Sequence, residues 1–209
     1  MNEHYVINLG RQLGSGGKEI GEKLARELNI AFYDKELIRL ASEESGLCKD
    51  FFEKADERTQ KTFIGALFGN RVPFVGDGAL PYGSCLNNDS LFKIQSDVIR
   101  GLAENGSCLF VGRCADYILR DHPRCINIFI SASKEARIER IMMKEGINAE
   151  QAEELIVKAD KKRAAYYNYY SYNTWGNAAT YHLCIDSSVL GIDGTVAFIK
   201  TFVQKKLGI

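Results

Sequence analysis

Hydrophobic positions along the chain fall into two alternating patterns. Short, largely continuous apolar runs occur at Tyr5–Leu9, Ile30–Tyr33, Ser107–Val111, Cys125–Ile130 and Tyr181–Ile185. Runs that are apolar on both parities predict parallel strands buried on both faces of a sheet. Between them, apolar residues recur every three or four positions. Lys18–Leu28 sets Ile20, Leu24 and Leu28 on one helical face, with Asn29 as a stop. Phe92–Ala103 carries Phe92, Ile94, Val98, Ile99 and Leu102 and runs out toward Asn105-Gly106. Lys134–Lys144 and Ala149–Tyr170 are highly charged helical patterns with a thin apolar stripe, and Gly194–Leu207 closes the chain. Strands alternating with helices of this length predict βαβ units and a three-layer α/β domain.

One stretch breaks this rhythm. Gly65–Asn88 reads GALFGNRVPFVGDGALPYGSCLNN and holds two of the three prolines. Helical patterning precedes it over Lys35–Ala41 and Asp50–Phe63. Residues 35–89 are therefore expected to form an insert on a single domain spanning 1–209, with Gly69–Asn88 mobile.

Charge narrows the partners. Lys+Arg and Asp+Glu both number 27, giving zero net charge. This balance argues against a nucleic-acid or anionic-membrane partner, where a basic excess is expected. No apolar stretch approaches the ~20 residues of a membrane span. The apolar run Tyr5-Val6-Ile7 is too short for a signal peptide, so the chain is expected to be cytoplasmic. The six cysteines include no C-x-x-C pair and are expected to be reduced thiols, while His4, His122 and His182 are scattered. No protein-built metal centre is expected.

The candidate chemistry begins after the first strand, in Gly10-Arg11-Gln12-Leu13-Gly14-Ser15-Gly16-Gly17-Lys18-Glu19-Ile20. Strand, glycine-rich turn and helix aim main-chain N–H groups and a helix N-terminus at phosphate. A strict phosphate loop reads G-x-x-x-x-G-K-[ST]; here Gln12 stands five positions before Gly17, and Glu19 follows Lys18. A glycine cluster after a strand is also an ordinary tight turn, so context decides. Val111-Gly112-Arg113, with Asp116 beyond it, ends the third strand; a helix carrying Arg137 and Arg140 follows the fourth. Ligands of parallel α/β sheets sit beyond the carboxyl ends of the strands. Three strand ends thus bring a glycine loop or arginines to one rim, as an anionic-ligand site requires.

These residues resemble the cytidylate kinase-like proteins, relatives of the P-loop nucleoside monophosphate kinases. The likeness is carried by the opening segment, Phe32-Tyr33-Asp34-Lys35-Glu36-Leu37-Ile38, Val111-Gly112-Arg113-Cys114-Ala115-Asp116, Asn127–Arg140, and Cys184-Ile185-Asp186-Ser187-Ser188. It implies a P-loop NTPase-type fold with a five-stranded parallel sheet, a helical insert and a lid. It also implies a phosphotransferase that uses ATP and Mg²⁺ on a nucleoside monophosphate such as CMP. The phosphate-binding segment would be Arg11, Gly14, Ser15, Gly16, Gly17, Lys18 and Glu19, and the acceptor residues Asp34, Arg113 and Asp116. The lid region would span 158–176, where Asp160-Lys161-Lys162-Arg163 is similar to the family's Asp/Arg-rich lid, and Arg137 matches an arginine at its base.

Phosphoryl transfer asks for positioning and charge neutralisation. In that inventory Lys18, Arg137 and Arg163 stabilise the transferring group, Arg113 grips the acceptor phosphate as a fork, and Asp34 is the carboxylate for Mg²⁺. Aligned on Gly14-Ser15-Gly16, however, Gly17 takes the place of the family's phosphate lysine and Glu19 that of its hydroxyl residue. Lys18, one position late, points about 100° around the first helical turn. Either the site is weak or Arg11, Arg137 and Arg163 have taken over the charge. Two further readings stay open: a nucleotide-binding protein with little or no kinase activity, and a kinase of a non-nucleotide metabolite. The run Tyr166-Tyr167-Asn168-Tyr169-Tyr170-Ser171-Tyr172 is expected to pack phenols on the core rather than stack on a base.

Overall fold

A computed structural model describes residues 4–35 and 88–209. Its elements are β1 (Val6–Arg11), α1 (Gly17–Glu27), β2 (Ala31–Tyr33), α2 (Asn88–Asn105), β3 (Cys108–Val111) and α3 (Ala115–Ile118), followed by β4 (Cys125–Ser131), α4 (Lys134–Glu145), α5 (Ala149–Ser171), β5 (Leu183–Asp186) and α6 (Ser187–Leu207). The chain divides into two compact units, one of Met1–Leu37 with Ile99–Ile209 and one of Ile38–Val98. The sheet lies in the first. The greater part of the expected insert at 35–89, and all of Gly69–Asn87, lie outside the described residues.

The five strands are parallel in the order β2-β3-β1-β4-β5. Leu9 aligns with Val111 on one side and Ile128 on the other, so the carboxyl ends form one rim. Ile7 and Leu9 face the core shared by Ile20, Leu24, Val196, Ile199 and Val203, which seats α1 and α6 on one face of the sheet. Side chains of opposite parity, Asn8 and Phe129 among them, face the other layer. There Asn8 Nδ2 donates to Asn127 Oδ1 at 2.9 Å, and the Trp175 and Tyr181 rings pack on Phe129. This two-sided burial is why the strands read as continuous apolar runs. Cys108, Cys114 and Cys125 join that packing; burial pushes their thiols up to about 12, so they are protonated at neutral pH.

Helix boundaries follow local chemistry. Ser133 accepts the Ala136 N–H at the start of α4, and Asn148 with Gln151 forms a reciprocal capping box at the start of α5. Helix α6 starts at Ser187 rather than at Gly194, because Asp186 caps it and Gly191, at φ 66°, lets two helical segments join across a kink. The single turn of α3 is too short to leave a periodic signal. The stretch 158–163 lies inside the continuous helix α5. No described helix is long and apolar enough to cross a membrane.

Helix α1 approaches the sheet core closely at Gly21. A Cβ there would stand 2.8 Å from Leu9 Cδ1 and 3.3 Å from Leu109 Cδ2, both in the buried core. Gly21→Val should force α1 off the sheet at a cost of about 1–3 kcal/mol. Chemical denaturation should show a lowered midpoint; an unchanged one would mean that the contact is slack.

Candidate active site

The turn between β1 and α1 is settled by an accounting of its main-chain groups. Every carbonyl from Arg11 to Gly16 has a donor. Arg163 Nη1 donates to Arg11 O at 3.1 Å, Ser15 Oγ to Gln12 O at 2.9 Å, and Arg137 Nε to Leu13 O at 2.7 Å. Arg140 donates to Gly14 O, Ser187 Oγ to Ser15 O at 2.6 Å, and the Ile20 amide to Gly16 O at 2.9 Å. The N–H groups are treated in the opposite way. Gln12 N–H donates to Ile130 O at 3.0 Å and Leu13 N–H to Asp160 Oδ1 at 2.8 Å. Those of Gly14, Gly16, Gly17 and Glu19 have no partner among the described residues. Gly16, the residue before α1, sits at φ 74° and offers no side-chain cap, so the helix start is open. Donors aimed outward from a helix N-terminus, with the carbonyls tied down behind them, form a seat for an anion.

Glycine is required at two places for different reasons. At Gly14, with φ 81°, a Cβ would stand 2.9 Å from the Arg137 carbonyl, so the loop lies directly on α4. At Gly112, with φ 79°, a Cβ would collide with the Arg11 guanidinium. Arg11 therefore leaves β1, crosses beside Gly17 and ends against the turn after β3. That turn is itself strained, because Arg113 and Cys114 follow Gly112 with φ of 60° and 56°.

Positive charge accumulates here. Burial, reinforced by Arg163 and Arg113, pulls the Arg11 guanidinium down to about 9, although Asp34 and Asp160 partly support it. Arg163 is lowered in the same direction by burial and by Arg137, against Asp160. Arg11 stays protonated at neutral pH, but its cation is under-compensated and an added anion would relieve it. Arg137 is itself buried, ion-paired with Asp160 and bonded to the loop, whereas Asp160 lies 3.6 Å from Arg163. Lys18 does not lie over the loop: its Nζ meets Asp34 at 2.5 Å, with Asp34 buried and Lys18 exposed. Glu19 and Lys161 point to solvent, and Glu19 pairs with Lys23 at 3.3 Å.

Asp116 is drawn into a tyrosine network. Tyr167 Oη donates to Asp116 Oδ2 at 2.7 Å, and Tyr181 is hydrogen-bonded to Tyr167 in turn. Burial raises the Asp116 carboxyl above the usual carboxylate range, and the Tyr167 hydrogen bond offsets part of that. Arg113 stands 5.9 Å over the Tyr166 ring. The tyrosine run is thus divided: Tyr167 is buried, whereas Tyr169 and Tyr172 are exposed.

The rim brings together Arg11, the Gly14–Gly17 loop, Arg113, Arg137, Asp160 and Arg163, with Lys18 and Asp34 paired to each other at the end of β2. Sequence reasoning put Arg140 at this rim without giving it a role, and it missed Tyr167 and Ser187. Arg140 is one helical turn from Arg137 on the same face of α4, Tyr167 is one turn from Arg163 on α5, and Ser187 follows the cap of α6. Helical spacing was the available signal for the first two.

Comparison with known proteins agrees with this frame. The chain is similar to an uncharacterized protein from Eubacterium ventriosum of known structure, with 28% identity, a TM-score of 0.70, and 96% of this chain and 99% of that one covered. Shikimate kinase from Bacteroides thetaiotaomicron shares the fold at 13% identity and a TM-score of 0.51, over 96% of this chain and 98% of that one. Shikimate kinase from Acinetobacter baumannii, in complex with shikimate, does so at 13% identity and a TM-score of 0.50, covering 97% and 94%. Among curated proteins nothing matches. The fold is the three-layer α/β fold of the P-loop NTPases, and family membership supports a phosphotransferase. The model of the cytidylate kinase-like family matches residues 6–189, and the chain belongs to that family.

Proposed function

We propose that the chain moves the γ-phosphoryl group of ATP to a nucleoside monophosphate, with CMP the first acceptor to try. The observation that carries this reading is the row of N–H groups at Gly14, Gly16, Gly17 and Glu19 that have no partner among the described residues, in a turn whose carbonyls from Arg11 to Gly16 are all satisfied. A triphosphate fits that seat, and the under-compensated charge of Arg11 and Arg163 beside it favours an anion. Mg²⁺ rarely needs an all-protein cage, which suits a rim with one buried carboxylate at Asp34. When bound, the ion would neutralise charge on the phosphate oxygens.

In this mechanism the chain supplies position and charge. The loop N–H groups hold the donor phosphates, while Arg137 and Arg140 fix the loop from behind. Arg163 and Arg11 face the charge that builds on the transferring group. Arg113, lodged on a strained turn, grips the acceptor phosphate, and Asp116, fixed by Tyr167, orients the acceptor. An acceptor phosphate has its second pKa near 6, so its attacking oxygen is already ionised at neutral pH and no general base is needed. That oxygen bonds to the γ-phosphorus as the β–γ bridge breaks, and ADP leaves. Residues 35–89 are proposed as the acceptor-binding insert and 158–176 as the lid region. A second reading, nucleotide binding with little turnover, is favoured by the Lys18–Asp34 pair, which holds the only loop lysine at 2.5 Å. Turnover with ATP-Mg and a panel of nucleoside monophosphates separates the two, and no turnover on any of them would overturn the kinase reading.

Gly16→Val should weaken nucleotide binding in titration calorimetry, because a β-branched residue resists φ 74° and its Cβ would collide with Ile192. Undiminished affinity in the folded variant would remove the loop from the site.

Arg113→Ala should raise the acceptor KM by about tenfold or more, as expected for a charge-assisted fork, and leave ATP affinity nearly intact. Loss of thermal stability with both affinities unchanged would make Arg113 a structural residue.

Arg163→Ala should lower kcat by roughly 10³-fold, the scale of a cation supplied to a transferring phosphate. Lys18→Ala should cost less than that, because its ammonium is committed to Asp34. Arg137→Ala should weaken ATP binding along with turnover by releasing the Leu13 carbonyl. If Lys18→Ala proves the most damaging of the three, the loop works with its lysine in the usual way.

A further inference from the structure

At the opposite end of the sheet, where β4 begins and β5 is about to begin, lies a cleft of about 420 Å³. Arg120, His122, Arg124, His182 and Lys206 line it, and no carboxylate is among its lining residues. His122 and His182, scattered in sequence, both line it. We propose that this cleft is a second anion site, built for a small, multiply charged anion of the phosphate class.

The hydrogen-bond inventory supports an acceptor-rich guest. Among the described residues the buried Arg124 Nε has no hydrogen-bond partner, and its Nη2 reaches the Leu207 carbonyl only at 3.4 Å. A buried guanidinium N–H left unpaired is costly. His182 Nδ1 accepts the Asn127 N–H at 2.9 Å, and His122 Nδ1 accepts the Arg124 N–H at 3.3 Å. Each neutral ring must therefore carry its proton on Nε2, so both imidazoles present donors. Arg120, at the rim of the cleft, lies 3.7 Å from Asp121 and donates through Nη1 to the Tyr117 carbonyl at 2.9 Å, while Asp116 acts on the cleft-lining Cys125. Burial lowers both imidazoles, with Lys206 adding to the effect at His182 and His4 at His122. The local field thus already disfavours one more proton. Two guanidiniums, an ammonium and two imidazole N–H groups suit an anion with several oxygens, and the volume suits a small molecule. Free pyrophosphate and a phosphate ester share this chemistry.

The test follows the imidazole NMR signals of the full chain as inorganic pyrophosphate is added. The His122 and His182 signals should shift saturably and their titration midpoints should rise, because a bound anion favours imidazolium. Lys206→Glu, at an exposed position, should weaken the response by about tenfold or more. Arg120→Ala, also exposed, provides a second variant should the first fail to fold. Gly16→Val, which disables the glycine loop, should leave the response intact. Glycerol phosphate binding more tightly than pyrophosphate would assign an ester, and the reverse order would assign the free anion. The proposal is overturned if sodium chloride of matched ionic strength reproduces the shifts, if citrate binds equally well, if both cleft variants respond like the parent, or if Gly16→Val abolishes the response.

Discussion

A peptide turn that offers its N–H groups to a ligand must find partners for the carbonyls it turns away. The structure of the rim depends on that requirement. Six consecutive carbonyls, from Arg11 to Gly16, face protein, and a buried carbonyl without a donor would cost about 1–3 kcal/mol. Helix α1 supplies one donor, the Ile20 amide to Gly16 O, and Ser15 its own hydroxyl to Gln12 O; the other four carbonyls are met by side chains from elsewhere in the chain. Arg163, Arg137, Arg140 and Ser187 come from three different helices, and each spends a donor on the loop. The loop is thus a joint between α4, α5 and α6, and its shape is set by elements remote in sequence.

Helix α5 shows how this demand is written into a side-chain pattern. Its inward stripe runs Ala152, Ile156, Asp160, Arg163, Tyr167 and Ser171, at spacings of three and four that keep one face toward the domain. Next to Ile141 and Leu13 the stripe is apolar. Where the helix passes the glycine loop it becomes ionic, and where it reaches Asp116 it becomes phenolic. A stripe that is only partly hydrophobic looks weakly amphipathic in sequence, yet all of it faces partners.

This explains which features could be read from sequence. Strand positions were legible because burial on both faces imposes continuous apolar runs, and Val6–Arg11 and Cys108–Val111 lie within a residue or two of those runs. The glycine turn was legible because φ near +75° at Gly14 and Gly16 restricts the residue type. The bracing was not. Arg140 differs in no sequence property from a solvated surface arginine, and only tertiary contact brings it to the Gly14 carbonyl. Ser187 was hidden for another reason: Gly191 interrupts the helical periodicity, so the pattern of α6 begins after the kink. The Lys18–Asp34 pair required knowing that β2 lies at the sheet edge, one strand beyond β3, which periodicity does not encode.

The zero net charge of the chain takes on meaning when its charges are located. Lys23 with Asp193, Lys200 with Glu27 and Lys134 with Glu153 pair on exposed helix surfaces, where solvent screens them and they mainly balance charge. Among the described residues, burial and neighbouring arginines act against the cations at Arg11 and Arg163, and the cleft at the other end of β4 has basic groups and no carboxylate in its lining. Field in partly buried concavities is screened far less by salt than field on open surface. A chain with no overall charge can therefore hold positive potential at both ends of its sheet without the indiscriminate attraction for polyanions that a basic surface would bring. On the proposed reading, placement rather than composition is what would select a small anion over a large one.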